Sequence, residues 1–208
     1  MIASAILVGA VPLFAWFGVR FRARQNEGAL GGAMSRAKAF WLPFAVYFWF
    51  VVCAVVAVDG VVAAPFRVVL GAFAASMWLR GAAELVMLYV TKNWRPPIGV
   101  AHDLVSLVLV VALLAFHAGA IRDAITATAC SASLDRWTLS LCVAVVVSLV
   151  VEMHHASSFY AAVRGRTTGD DGVWFADDDA AHFRAINRNT KRWNAVLGVV
   201  VGAYVVRY

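Results

Sequence analysis

Apolar residues dominate the chain in six long segments, separated by short stretches that are polar or contain glycine and proline. The segments cover residues 2–19, 39–59, 65–91, 98–119, 137–163 and 193–207. Each is near the ~20 residues that a helix needs to cross the hydrocarbon core of a bilayer. Because unpaired backbone groups are not tolerated in lipid, we expect every segment to be helical. The pattern predicts an all-α fold, a polytopic integral membrane protein with about six transmembrane helices in one domain, residues 1–208.

The one long connection, residues 164–192, has a different pattern. Its second half starts at Asp177 and continues as an amphipathic run in which Phe183 and Ile186 share one face. An aspartate can cap a helix, and the helix dipole favours anions in the first turn. We therefore predict an interfacial amphipathic helix over residues 177–190 that leads into the last span. Cation binding by the aspartates of this loop is the alternative, which capping makes unnecessary.

Composition agrees with a membrane protein. Of the 208 residues, 62% are hydrophobic and only 14% are charged, whereas soluble domains are typically about a quarter charged. The net charge of +6 comes from cations between the spans and from no basic motif. We therefore expect contacts with membrane lipids and none with nucleic acid. The three cysteines form no CxxC pair, which argues against a thiolate metal site or a disulfide framework.

The distribution of lysine and arginine predicts the orientation. The connections 20–38, 92–97 and 164–192 carry five, two and six of these residues, which is 13 of the 18 in the chain. Cytoplasmic loops are enriched in such cations, so both termini should be non-cytoplasmic. The first apolar segment has no basic residue before it, and we interpret it as a retained span and not as a signal peptide.

Several ionisable residues fall inside the predicted spans, where charge is costly. They are Arg80, Glu84, His102, Asp103, His117, Glu152, His154 and His155. Counting at about 1.5 Å per residue places six of them in the cytoplasmic half and Arg80 just above. His117 lies near the opposite surface. This coincidence in depth across three consecutive helices predicts one site, in which Glu152 and His155 meet Glu84 and His102.

The favoured interpretation of this site is metal binding. Glu152 and His155 are three residues apart, a spacing that resembles the Glu-x-x-His pairs of four-helix di-metal proteins, although only the motif is similar. With Glu84 and His102 they would supply ligands suited to iron, zinc or manganese. Three further residues would support these ligands, namely Arg80, Asp103 and His154. The set predicts a metal-dependent membrane enzyme or oxidoreductase that acts on a lipid-soluble substrate.

Three other functional roles are open. A haem- or quinone-binding subunit would use His102 with His154 or His155 as axial ligands of haem b. A proton-coupled transporter would use the carboxylates and histidines as a relay, although the sequence has no evident internal repeat. A non-catalytic subunit of a membrane complex, or a homo-oligomer, would pack through the GxxxG pair Gly198 and Gly202.

A structural role is the alternative for the individual residues. Arg80 and Glu84 are four residues apart and can neutralise each other on one helix. His102 and Asp103 can cap or hydrate the start of their helix, and His117 is typical of an interfacial position. The sequence contains no nucleophile elbow, Walker loop, dinucleotide fingerprint or HExxH motif. Hydrolases and nucleotide-driven pumps therefore lack support.

Overall fold

The computed structural model describes residues 51–89, 96–128, 131–163 and 181–208. Within these ranges the chain forms six helices and no strand, which confirms the all-α prediction. Residues 51–59 belong to α1, and the others are α2 (Ala64–Tyr89), α3 (Pro96–Phe116), α4 (Ala118–Thr126), α5 (Ser131–Val163) and α6 (Ala181–Arg207). The predicted first span and the connection 20–38 lie outside the described residues.

A tight turn joins α1 to α2. Gly60 has a φ of 76°, which a residue without a Cβ adopts at little cost. Two side chains from further along the chain hold the turn. Arg67 Nε donates to the carbonyl oxygen of Ala57 at 3.1 Å, and Asp135 Oδ1 accepts from the N–H of Ala63 at 2.9 Å. The end of one helix and the start of the next thereby gain partners for backbone groups that no helix can satisfy internally.

α5 is the central helix and packs against α2, α3, α4 and α6. The largest fully buried side chains come from five helices and include Val56, Phe66, Val110, Leu141 and Tyr204. Two members of this set carry a hydroxyl, Tyr204 and Thr138, and they are hydrogen-bonded to each other, with 2.9 Å between the Tyr204 hydroxyl and Thr138 Oγ1. α1 packs closely on α2 at Gly71, where an added Cβ would be 3.3 Å from Ala57 Cβ.

Contacts between helix ends show which connections lie together. Tyr208, after α6, donates its hydroxyl hydrogen to Asp59 Oδ2 at 3.1 Å. Arg136, near the start of α5, donates to the carbonyl oxygen of Ile125 in α4 at 2.9 Å. With the contact of Asp135 at the start of α2, these bonds bring the α1–α2 turn, the α4–α5 connection and the end of α6 to one end of the bundle.

The predicted span 98–119 is wrong at its end. α3 stops at Phe116, and α4 leaves it at an angle of 63°. The change of direction occurs at His117, whose φ and ψ are −94° and 8°, in the sparsely populated bridge region. Helical bonding resumes with the Ile121 N–H, which donates to the His117 carbonyl oxygen at 2.9 Å. No proline marks this break in the sequence.

Two other boundaries differ from the predictions. α5 begins at Ser131 and not near 137, and its apolar stretch, Ala132–His154, ends before the helix does. α6 is one continuous helix, Ala181–Arg207, so the interfacial helix and the last span are not separate elements. The residues that join them are compatible with a helix, and no proline or glycine intervenes. Asp177 lies outside the described residues, and a location at the membrane surface stays a prediction.

By length and composition, one helix within the described ranges is able to cross a membrane, Ala132–His154, with a mean hydropathy of 1.9. The bent pair α3–α4 would be a second if it were counted as a single span. Core helices of soluble proteins can have the same length and composition, so this is weak support for a membrane location. The orientation of the termini stays a prediction.

Candidate functional site

Polar residues on α2 and α3 meet where these two helices pack. Five side chains, which we call the α2–α3 cluster, take part: Ser76, Arg80, His102, Asp103 and Ser106. The two helices run in opposite directions. Ser76 contacts Ser106. One turn later on α2, Arg80 contacts Asp103, which lies about one turn earlier on α3. Asp103 lies roughly 10 Å along α3 from its start at ~1.5 Å per residue.

The central contact of the cluster is an ion pair between Arg80 Nη1 and Asp103 Oδ1. The side chain of Asp103 is 1% exposed, and that of Arg80 is 24% exposed. A buried carboxylate loses its hydration, and a charged partner offsets that cost. The second oxygen, Asp103 Oδ2, is also buried and has no hydrogen-bond partner among the described residues. The carboxylate therefore keeps an oxygen that can accept a proton or a hydrogen bond.

His102 lies beside the ion pair. Its Nε2 is 3.0 Å from the backbone carbonyl oxygen of Ser76; because a carbonyl only accepts, Nε2 carries a hydrogen. Its Nδ1 is 3.6 Å from Asp103 Oδ1 and 3.5 Å from Ser106 Oγ. When the ring is neutral, Nδ1 accepts a hydrogen bond from Ser106 Oγ. When the ring is protonated, it carries a positive charge next to the carboxylate of Asp103. The side chain is 23% exposed.

Ser76 and Ser106 complete the cluster across the two helices. Their hydroxyls are hydrogen-bonded to each other, and each lies within 3.5 Å of a ring nitrogen of His102. A hydroxyl is both donor and acceptor, so this pair can satisfy either protonation state of the imidazole. The sequence reasoning missed both serines. The available signal was spacing, because each lies four residues, one helical turn, from a site residue, Arg80 or His102.

The predicted metal site is only partly within the described residues. The side chains of His102 and Glu152 belong to them, and those of Glu84 and His155 lie outside. Glu152 is half-buried on α5. The described part of the chain contains no group of three or more His, Cys, Asp or Glu side chains that could hold a metal ion. A site built from all four ligands therefore stays a prediction.

The end of α5 at Val163 agrees with the predicted end of the fifth segment, so Glu152 lies eleven residues before the end of the helix. The apolar stretch of this helix ends earlier, at His154, and the depth of Glu152 in a membrane stays a prediction. His154, a predicted supporting residue and haem ligand, is exposed. His102, a second haem candidate, has both ring nitrogens in contact with other members of the α2–α3 cluster, and the side chain of the third, His155, lies outside the described residues. His117 lies at the α3–α4 bend, with its ring in edge contact with Phe116 at 5.0 Å.

α6 has one face fixed to the bundle and one face open. On the fixed face, Trp193 Nε1 donates to Ser148 Oγ of α5 at 3.1 Å. On the open face, Gly198 and Gly202 are exposed, and no atom lies within 4 Å of a Cβ added at either position. The predicted association of subunits through this face stays a prediction.

No protein-family model, curated protein or solved structure matches the chain. A functional proposal therefore has to come from the chemistry of the α2–α3 cluster. This cluster combines a permanent cation, a buried carboxylate, a titratable ring and two hydroxyls, all on two neighbouring helices.

Proposed function

We propose that the chain is a polytopic integral membrane protein of about six transmembrane helices, with both termini non-cytoplasmic. The support is the distribution of polarity within the described helices. Buried polar side chains include Asp103, Ser106, Asp135, Thr138 and Ser148. The large apolar side chains with the greatest exposure include Leu79, Val105, Phe116, Val199 and Val206. Water disfavours a surface of this kind, whereas hydrocarbon solvates it and favours polar groups that are paired inside the bundle.

The small number of spans identified by composition does not conflict with this proposal. The charge of Arg80 lowers the average hydropathy of α2 whether its side chain faces lipid or the interior of the bundle. In the structure Arg80 pairs with Asp103 of α3, so the charge is compensated by another helix. Ionisable residues that pair inside the bundle are typical of membrane proteins with a transport or relay function.

We infer that the α2–α3 cluster is the proton-binding site of a proton-coupled transporter. The observation that carries this inference is the position of Asp103, which is buried between a permanent cation, Arg80, and a titratable ring, His102. With a neutral ring, the three side chains have no net charge. One added proton, on His102 or on Asp103 Oδ2, gives the site a charge of one. In a medium of low dielectric constant such a change has a large energetic effect on nearby groups.

The serine hydroxyls supply a route for the proton within the cluster. Ser106 lies next to the Nδ1 of His102, and Ser76 lies next to Ser106 and to Nε2. A hydroxyl can accept one hydrogen bond while it donates another, so the chain can reverse its direction when the ring changes its protonation state. This supports proton movement across the α2–α3 interface and not only proton storage.

A second candidate is the metal-dependent enzyme or oxidoreductase, with the ligands Glu84, His102, Glu152 and His155. One observation favours it: His102 donates from Nε2 to the Ser76 carbonyl, as histidines do when their other nitrogen binds a metal. Arg80 opposes it, because its guanidinium already neutralises the nearby carboxylate of Asp103 and repels a second cation. Metal analysis of the purified protein tests for iron, zinc or manganese, and an absorption spectrum tests for haem b.

Proton flux into proteoliposomes tests the transport proposal. The reconstituted protein, with a pH-sensitive dye entrapped in the lumen, is exposed to an acidic outside solution. Because the coupled substrate is unidentified, the assay is run with and without a panel of amino acids, sugars and organic acids outside. We expect wild-type protein to acidify the lumen faster than empty liposomes under at least one of these conditions.

The variants of this assay compare the cluster with matched positions outside it. Asp103→Asn and His102→Gln should lower the flux to the level of empty liposomes. Asp123→Asn and His117→Gln change the same residue types in or beside α4, and should keep the wild-type rate. The proposal is wrong if wild-type protein carries no flux under any condition, or if folded Asp103→Asn protein carries the wild-type flux.

A further inference from the structure

The length of α3 is close to the thickness of the hydrocarbon core of a bilayer. The helix has 21 residues, which is about 31 Å at ~1.5 Å per residue and close to the ~30 Å of the hydrocarbon core. Large apolar side chains are exposed along it, including Leu104, Val105, Val108, Val111 and, at its last position, Phe116, which is 83% exposed. A span built from α3 therefore ends near Phe116 and needs no residues from α4.

α4 differs from α3 in both direction and polarity. The 63° bend at His117 turns α4 closer to the membrane plane than to its normal if α3 stands upright. Arg122 and Asp123 of α4 are exposed, whereas Ile121 is buried in the core of the bundle. An exposed charge is costly at the centre of the hydrocarbon, and this cost is absent among lipid headgroups.

The neighbours of α4 are also typical of a membrane interface. Arg136 Nε donates a hydrogen bond to the carbonyl oxygen of Ile125 in the last turn of α4. At the same end, the guanidinium of Arg207 lies 5.7 Å from the ring centroid of Trp137. Arginine and tryptophan are side chains that combine an apolar body with a polar tip, and they concentrate at the level of the headgroups.

We propose that α4 is an interfacial helix that lies in the phospholipid headgroup layer, with Phe116 at the upper boundary of the acyl chains. The proposal rests on the membrane location proposed above and adds the level at which the lipid surface meets the protein. It also assigns a role to the bend at His117, which moves the chain from the hydrocarbon into the headgroup layer within a single residue.

Spin-label depth measurements test this proposal in liposomes of phosphatidylcholine and phosphatidylglycerol. Val108→Cys, Phe116→Cys and Gly119→Cys are labelled one at a time in a Cys130→Ser background; the remaining cysteines of the described ranges are buried. No atom lies within 4 Å of a Cβ added at Gly119, so a label fits there. We expect collisions mainly with oxygen at Val108, mainly with a water-soluble nickel chelate at Gly119, and intermediate values at Phe116.

The alternative outcomes separate this inference from the membrane proposal. If the label at Val108 is as accessible to nickel as the label at Gly119, the membrane location itself is wrong. If Val108 is deep and Gly119 is equally deep, α4 continues the span as a bent helix; the inference is then wrong and the membrane location stands. Ala120→Cys, exposed on the same helix, replaces Gly119→Cys should that variant aggregate.

Discussion

Replacement of Arg80 by glutamine should destabilise the helix bundle through its effect on Asp103. The carboxylate is 1% exposed and, among the described residues, would keep only His102, with Nδ1 3.6 Å away, as a group able to compensate its charge. Removing one partner of a buried ion pair typically costs about 3–5 kcal/mol. Arg80 is 24% exposed and the imidazole can take up a proton, so we expect a loss near the lower limit, about 3 kcal/mol.

The double variant Arg80→Gln/Asp103→Asn provides the more specific test. It leaves no charge at either position of the former ion pair, and it should therefore be more stable than the Arg80→Gln variant alone. The two substitutions should deviate from additivity by more than the ~0.5 kcal/mol that independent sites show. The matched control is the exposed pair Arg122 and Asp123, 3.3 Å apart, for which the same double-mutant cycle should give little coupling because solvent screens it.

The free energy of unfolding is measured by denaturant titration in mixed micelles, with helix content followed by circular dichroism. The reasoning is refuted if the substitutions at Arg80 and Asp103 act additively. It is also refuted if the double variant is less stable than Arg80→Gln alone, because the loss would then arise from packing and not from an unpaired carboxylate.

Two further predictions concern the opposite end of the bundle. Thr138→Val should lower the free energy of unfolding by about 1–3 kcal/mol, because the buried Tyr204 hydroxyl loses its 2.9 Å partner. The exposed control Ser140→Ala should change the free energy of unfolding by less than ~0.5 kcal/mol. Equal losses in the two variants would contradict a stabilising role of the Thr138–Tyr204 hydrogen bond. Desolvation, together with the hydrogen bond to Asp59, raises the pKa of Tyr208. The stability that this contributes is present below the unfolded-state pKa of ~10 and is lost as the pH rises beyond it. The unfolding midpoint should therefore fall more steeply above about pH 10 in wild-type protein than in Tyr208→Phe, and parallel curves would contradict this.

The sequence by itself was sufficient to predict helices and several of their ends. The segment predicted as 65–91 is α2, Ala64–Tyr89, because a glycine turn before it and a proline pair after it are local signals that need no tertiary contact. The bend at His117 had no such signal. The continuity of α6 across the predicted boundary was also missed, since an amphipathic run followed by an apolar run is compatible with one helix or with two.

The candidate site was predictable in its residue types but not in its pairings. Spacing along the chain suggested Glu84 as a partner of Arg80 on α2, and that pairing stays a prediction; the structure shows Asp103 of α3 as a partner of Arg80 and adds two serines to the site. Hydrophobic patterning sets which segments are helical, because each helix satisfies its own backbone. The partner of a side chain depends on how two helices are rotated about their axes and how far each has shifted along the other. Those quantities are set by the packing of side chains that are distant in sequence, and only the tertiary structure decides them.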